Sequence, residues 1–140
     1  MEDIITKKTV ITKPAPEQAY LVAVATAADV SGYSVEDSID ELSYLATTAG
    51  ARVVGKMIQR LPAPSRTHYL GKGKLAELLS LKETTGYNVA IFDDELTPLQ
   101  QRHLEDFLQI KVIDRAALIL DIFSKRARTR AVSYTHLTLP

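Results

Sequence analysis

The sequence of 140 residues contains no cysteine, and this absence excludes three kinds of site at once. Without thiols the chain can form no disulfide, no zinc–thiolate centre and no cysteine nucleophile, so we expect a protein of a reducing compartment. It also has no apolar run near the roughly 18 residues that a membrane span needs, and its mixed acidic and lysine-containing N-terminus does not resemble a signal peptide. We therefore expect a cytoplasmic protein.

Residue patterns typical of hydrolases are missing as well. His68, His103 and His136 have no spacing typical of metal ligands, and the sequence contains no Ser-His-Asp order, G-x-S-x-G turn or H-E-x-x-H helix. No side chain stands out as a nucleophile or a general base. We expect that this chain is not an enzyme.

The net charge is zero, with 17 basic and 17 acidic residues, but the charges are segregated along the chain. Residues 56–82 and 124–130 carry net charges of +5 and +4, while residues 1–55 and 83–123 carry −4 and −5. Net charge bears on association rather than on fold. The two basic blocks are therefore either surfaces for an anionic partner or ordinary solvated faces.

Apolar spacing alternates between strand and helix patterns along the middle of the chain. Strands are expected at 20–27, 52–61, 88–92 and 110–113. Ser34 and Thr97 have the positions of N-caps, which predicts helices that begin just after them, and Gly86 predicts the end of a helix that follows Gly73. Alternating strands and helices are typical of a doubly covered parallel sheet. We predict an α/β domain with a four-stranded, mainly parallel sheet in the order 2-1-3-4 and helices on both faces.

The remaining segments are predicted to lie outside this sheet. Residues 1–19 end in a proline-containing stretch and are expected to form a flexible N-terminal arm ahead of an α/β domain at 20–114. Residues 115–130 begin as an apolar helix and turn basic, and we interpret them as the start of a truncated helical subdomain. Residues 131–140 carry no charge and lose the helical spacing, so we interpret them as a non-native read-through tail.

A glycine-rich motif runs from Gly71 to Ala76 in the form G-x-G-x-x-A, and Asp93 follows at the distance typical of dinucleotide-binding folds. The segment that feeds it, 68–70, is short for the strand that such a motif needs, and Leu75 stands where a P-loop has Ser or Thr. We favour a turn into a helix whose free N–H groups, together with two lysines, attract phosphate.

Asp93, Asp94 and Glu95 follow the third predicted strand, at the edge where open α/β sheets bind ligands. One interpretation is a magnesium site or phosphoacceptor; the other is that acids gather before a helix N-terminus, where the helix dipole favours them. Hard cations usually draw ligands from several segments, and this cluster is a single one. The alternative function is therefore a stand-alone nucleotide- or metal-binding domain, with Gly71 and Gly73 at the cofactor and Asp93 and Asp94 at the metal.

Three groups of motifs closely resemble the N-terminal domain of HflX-type GTPases. They are Tyr69-Leu70-Gly71-Lys72-Gly73-Lys74-Leu75 with Glu77-Leu78, then Ile91-Phe92-Asp93-Asp94-Glu95-Leu96-Thr97-Pro98 with Gln100-Gln101-Arg102, then Val112-Ile113-Asp114-Arg115 with Leu118-Ile119-Leu120-Asp121-Ile122-Phe123. The resemblance covers about residues 20–130. It implies an α/β subdomain that in the family continues into a helical hairpin and a GTP-binding domain, so it implies that this chain is a fragment without the GTPase signatures.

The resemblance also implies a function: a ribosome-binding module whose partners are the large ribosomal subunit and its RNA. GTP and Mg are then cofactors of the full-length family and not of this fragment, which we expect to be a monomer without a membrane span. Lys and Arg on a presented face recognise phosphate backbones, so the basic blocks supply the expected RNA contacts. The first set is Arg60, Arg66, Lys72 and Lys74, and the second set is Lys125, Arg126, Arg128 and Arg130.

Overall fold

The computed structural model describes residues 15–26 and 34–124, and in them strands alternate with helices. The elements are β1 (Gln18–Ala25), α1 (Val35–Thr48), β2 (Arg52–Arg60), α2 (Lys72–Thr85), β3 (Val89–Phe92), α3 (Pro98–Leu108), β4 (Lys111–Asp114) and α4 (115–124). The strands lie within two residues of their predicted positions. None of the helices in these two ranges has the length and apolarity that a bilayer span requires.

The four strands form one sheet that is parallel throughout, in the order β2-β1-β3-β4. The predicted α/β class and the predicted strand order are confirmed. The direction of winding reverses between β1 and β3, because α1 leads the chain from β1 to β2 and α2 leads it back past β1 to β3. Such a reversal opens a crevice at the carboxyl ends of the two strands, which is where α/β folds bind ligands.

Each face of the sheet packs against two helices. On one face, Val22 of β1 lies in the same buried cluster as Leu78 of α2 and Leu104 of α3. On the other face, the buried cluster includes Ile39 of α1 and Leu118 of α4. Each fully buried side chain of this kind contributes about 1.5–3 kcal/mol. Because both faces are covered, β1 is buried along its length, as its unbroken apolar run predicts.

Local caps determine where the helices begin and end. Ser34 Oγ accepts a hydrogen bond of 3.1 Å from the N–H of Asp37 at the start of α1. Thr97 and Gln100 form a reciprocal capping box at the start of α3. α2 ends at Gly86, whose φ of 71° is in the left-handed region that favours glycine. These boundaries confirm the predictions made from the same residues.

The structure describes parts of two segments at the bounds of the predicted α/β domain. β1 begins at Gln18, inside the predicted arm 1–19, because the Gln18 N–H donates to Asn88 Oδ1 at 2.8 Å and the next side chain is buried. The described turns of α4 cover the sheet through Leu118, which is 3% exposed. Residues 1–14 and 125–140 lie outside the described residues, and with them most of the predicted arm and the predicted tail 131–140.

Candidate functional site

The crevice between β1 and β3 is filled on one face by Tyr69, a buried residue of the turn that precedes α2. Its ring packs edge-on against Phe92, with 5.3 Å between the ring centroids. Its hydroxyl accepts a hydrogen bond of 3.1 Å from the Val24 N–H and donates one of 2.5 Å to Asp94 Oδ2. Tyr69 therefore bonds to the end of β1 at the place where a ligand of this fold class would lie.

The backbone of Tyr69 is unusual, since its φ of 69° is uncommon for a bulky residue. Two backbone hydrogen bonds of 3.0 Å, exchanged with Ser65, hold it in this conformation. Burial, followed by the hydrogen bond to Asp94, raises the pKa of Tyr69 well above its usual range. The hydroxyl therefore remains a donor at every physiological pH.

On the opposite face the crevice is closed by an ion pair between Asp93 and Arg115. Asp93 Oδ1 lies 2.7 Å from Arg115 Nη2, and the two side chains are 8% and 22% exposed. Arg115 also donates to Glu41 Oε1 at 2.6 Å and to the Ser38 carbonyl oxygen at 2.8 Å. Ser38 Oγ in turn donates to Asp93 Oδ2 at 2.6 Å. The network joins α1 and the end of β3 to the first residue of α4.

The two acids that the alternative prediction places at a metal have separate partners. Asp93 is bound by Arg115, and Asp94 is bound by Tyr69 on the other face of the sheet. In the described ranges no group of three or more His, Asp or Glu side chains is arranged to hold a metal ion. A cation at Asp93 would first have to displace the guanidinium group.

The Gly71–Gly73 turn lies beyond the carboxyl end of β2. Gly71 is the N-cap of α2 with a φ of −69°, and its N–H donates to Gln59 Oε1 at 2.9 Å. A Cβ on Gly71 would lie 3.0 Å from Gln59 Nε2, whereas a Cβ on Gly73 would meet nothing within 4 Å. The close approach to Gln59, and not a positive φ, is what favours glycine at position 71.

The four residues of the first basic set lie close to the start of α2 in the sequence. Arg60 ends β2, Arg66 lies in the turn that follows, and Lys72 and Lys74 lie in the first turn of α2. α2 has no side-chain cap and no acidic residue in its first turn, so its first N–H groups and its dipole are open to an anion. The second set lies outside the described residues: Lys125, Arg126, Arg128 and Arg130.

Two of the four residues of the first basic set form ion pairs, and two do not. Arg60 Nη2 lies 3.4 Å from Glu36 Oε2, and Lys74 Nζ lies 3.4 Å from Glu77 Oε1. The other two cations of the set form no ion pair with a described residue. Exposed ion pairs contribute only about 0–1 kcal/mol, so Arg60 and Lys74 can exchange their carboxylates for phosphate at little cost.

Two histidines that are far apart in the sequence meet in the structure. His68 lies in the turn before α2 and His103 lies in α3, and their ring centroids are 5.5 Å apart with an angle of 41° between the ring planes. Sequence analysis missed this pair because no local spacing relates the two residues. His136 lies outside the described residues.

The chain is similar to proteins named GTPase HflX. The HflX of Caldanaerobacter subterraneus subsp. tengcongensis is 45% identical over 114 residues, which are 81% of this chain and 26% of the relative. The HflX of Escherichia coli strain K12 is 38% identical over 115 residues, which are 82% of this chain and 26% of the relative. The chain thus spans about a quarter of the length of these relatives.

The fold is shared with solved structures. A GTP-binding protein from Sulfolobus solfataricus in complex with GDP superimposes with a TM-score of 0.53, over 77% of this chain and 30% of that chain, at 22% sequence identity. The family model described as GTP-binding GTPase N-terminal matches residues 36–124, which include the Gly71–Gly73 turn and the Asp93–Arg115 pair. The chain therefore belongs to the GTP-binding GTPase N-terminal family, the kind of N-terminal domain that HflX-type GTPases have.

Proposed function

We propose that this chain is a ribosome-binding module that contacts RNA of the large subunit at the start of α2. One observation carries the proposal: the uncapped helix N-terminus lies beside Lys72 and close in sequence to Arg66, two cations without an ion-pair partner in the described chain. A helix N-terminus favours phosphate oxygens, and lysine and arginine supply the charge that recognition of a nucleic-acid backbone needs.

The filled crevice supports this function over a stand-alone nucleotide- or metal-binding domain. A nucleotide at the crevice would compete with the Tyr69 hydroxyl for the end of β1 and with Arg115 for Asp93. The start of α2 requires no such displacement, since its N–H groups lack a side-chain partner. A binding surface for an extended polyanion therefore fits the molecule better than a pocket for a small ligand.

Ribosome pelleting over a series of salt concentrations tests the proposal. The double variant Lys72→Ala/Lys74→Ala should associate more weakly with large subunits, and each lost phosphate contact should flatten the logarithmic salt dependence by about one unit. An unaltered affinity and salt slope for this variant would refute the proposal.

The matched control is Arg52→Ala/Lys111→Ala, which removes the same charge at the residues where β2 and β4 begin, on the opposite edge of the sheet. Its affinity and salt slope should equal those of the unaltered chain. Equal losses in both double variants would show that net charge alone, and not the α2 surface, drives association. Melting curves should change little, because substitutions at exposed positions usually alter stability by about 0.5 kcal/mol or less.

We also propose that the GTP and Mg chemistry of the full-length protein does not use residues of this chain. Leu75 follows Gly73-Lys74 where a phosphate loop needs Ser or Thr, and His68 stands where that loop needs its first glycine. Tyr69, the next residue of the same stretch, is part of the buried core. The residues present do not fit a phosphate loop for GTP.

A further inference from the structure

We propose that His68 and His103 together bind a divalent cation of borderline softness, such as Zn²⁺, Ni²⁺ or Cu²⁺. The site joins the turn before α2 to the exposed side of α3. It uses other side chains than the proposed RNA contact, which depends on lysine and arginine side chains and on backbone N–H groups.

The separation of the rings suits two imidazoles on one ion. With Zn–N bonds of about 2.0–2.1 Å and tetrahedral angles, the centres of two bound imidazole rings lie roughly 5 Å apart. The observed distance between the centroids is 5.5 Å, and the ring planes are tilted by 41°. Rings stacked on one another in parallel could not share an ion, whereas tilted rings at this distance can turn one nitrogen each toward a common point.

The hydrogen bonds leave suitable nitrogen atoms for a cation. Thr67 Oγ1 lies 2.9 Å from His68 Nδ1. When Nδ1 donates to that oxygen, Nε2 keeps its lone pair, and an outer-shell oxygen of this kind orients metal-binding histidines and raises their basicity. The ring nitrogens of His103 have no hydrogen-bond partner among the described residues, and both side chains are only half-buried. Each ring can therefore offer a nitrogen to an ion from solvent.

The turn that carries His68 is held against α3 before any ion binds. Ser65 exchanges two backbone hydrogen bonds of 3.0 Å with Tyr69, and Ser65 Oγ accepts one of 3.2 Å from the His68 N–H. Gln100, three residues before His103 in α3, donates from Nε2 to the Ser65 carbonyl oxygen at 2.7 Å. Ligands that are already positioned lose less conformational entropy on binding, which favours affinity.

The ligand set determines the class of ion. Imidazole nitrogen suits zinc, copper and nickel, whereas magnesium and calcium prefer oxygen ligands. Within the described part of the chain no third His, Asp or Glu completes the set, so water would have to supply the other ligands of a bound ion. Arg66 and Arg102 lie near the two histidines in the sequence and repel the cation. Added salt screens this repulsion, so it should strengthen zinc binding. RNA binding has the opposite dependence on salt.

Calorimetric titration of the untagged 140-residue chain with zinc chloride tests the proposal. The unaltered chain should bind one zinc ion, and His68→Gln or His103→Gln should weaken that binding at least tenfold. His136→Gln is the matched control, because His136 is the other histidine of the chain, and it should leave the affinity unchanged. Thr67→Val keeps both ligands and removes the outer-shell oxygen, so it should weaken binding by about 10–100-fold. Magnesium chloride should give no binding that depends on either histidine.

Zinc binding that is absent from the unaltered chain, or that is equal in all three histidine variants, would overturn the proposal. Because a misfolded variant would also lose zinc, NMR of the unaltered chain gives an independent result. Zinc should shift the imidazole signals of His68 and His103 and leave those of His136 in place, and the reverse pattern would also overturn the proposal. Ribosome pelleting without zinc tests the proposed function separately, so the failure of one proposal leaves the other intact.

Discussion

At the scale of single residues, the guanidinium group of Arg115 binds several partners at once. It bonds to Asp93 after β3 and to Ser38 and Glu41 of α1, all from the first residue of α4. The Asp93 side chain is 8% exposed, so without Arg115 its charge would have no cation beside it and would keep only the hydrogen bond from Ser38 Oγ. Leaving a buried polar group unsatisfied costs more than the interaction itself contributes.

Arg115→Ala should therefore lower the free energy of unfolding by about 1–3 kcal/mol. Urea denaturation of both chains measures the difference. The comparison variant is Lys56→Ala, which breaks an exposed pair with Asp40 at 3.2 Å and should change the free energy of unfolding by about 0.5 kcal/mol or less. Equal losses in the two variants would show that the crevice network stabilises the fold no more than an ion pair on the surface does.

Tyr69→Phe should also destabilise the fold, by about 1–3 kcal/mol at neutral pH, because the Val24 N–H loses its acceptor and Asp94 loses a donor. The size of this loss in the free energy of unfolding should depend on pH. Burial, followed by the hydrogen bond to Asp94, raises the pKa of Tyr69 in the folded chain, whereas an unfolded tyrosine has a pKa of about 10. The stabilisation is complete below about pH 10 and falls as the pH rises further, because only the unfolded chain then releases the proton.

The difference in stability between the unaltered chain and Tyr69→Phe should therefore shrink as the pH rises above about 10. Urea denaturation at neutral pH and at two pH values above 10 measures this change. Tyr44→Phe is the control, since it removes the hydroxyl of a side chain that is 72% exposed. A difference that stays constant over the whole range would contradict the role given to the Tyr69 hydroxyl.

Contacts at this scale were beyond sequence analysis, and Asp93 with Asp94 show why. Their position after a strand predicted correctly that both lie at the carboxyl edge of the sheet. Successive residues at a strand end point to opposite faces, so one acid meets Arg115 and the other meets Tyr69. Periodicity reports the face that a residue occupies, but it does not report which distant side chain shares that face.

At the scale of elements, most of the boundaries that were predicted have a local chemical cause. The hydroxyls of Ser34 and Thr97 cap the two helices that follow them, and Gly86 ends α2 with a positive φ. The end of α3 has no such marker, since Gln109 adopts the left-handed conformation there with a φ of 56°. The sequence still predicts that α3 ends at about Leu108, because the apolar strand expected at 110–113 follows at once, and the helix does end at Leu108.

Gly73→Ala should stabilise the chain by about 0.4–1 kcal/mol, because position 73 is helical and a Cβ there meets nothing within 4 Å. Gly71→Ala should give no such gain, since its Cβ would lie 3.0 Å from Gln59 Nε2 and would disturb the amide that bonds to the Gly71 N–H. Thermal unfolding of the two variants measures both effects. A loss of stability in Gly73→Ala would contradict the helical start of α2 at Lys72.

At the scale of the whole molecule, the two edges of the sheet differ in what they carry. The carboxyl edge holds the filled crevice, and the start of α2 lies beyond the end of β2 on the same edge. The amino edge carries an exposed ion pair between Glu17 and Lys111 at 3.1 Å. A molecule with its fold crevice occupied by its own side chains is suited to binding through its surface.

The chain should therefore show no saturable binding of GTP at micromolar concentrations with Mg²⁺ present, and no hydrolysis. Calorimetry with GTP and a phosphate-release assay provide the measurements. A full-length HflX protein is the positive control for both assays. Saturable binding by the 140-residue chain would show that a phosphate site exists here without the Ser or Thr that a Walker-type loop uses for magnesium.

The Arg115 network and the burial of Leu118 attach α4 to the sheet at two points of its first turn. Arg115, the first residue of the helix, is bound to Asp93 and Ser38, and Leu118, three residues later, is buried against the sheet. Ten residues at a rise of about 1.5 Å each give the described helix 115–124 a length of about 15 Å. Two attachments so close to its start set the direction of the helix axis relative to the sheet.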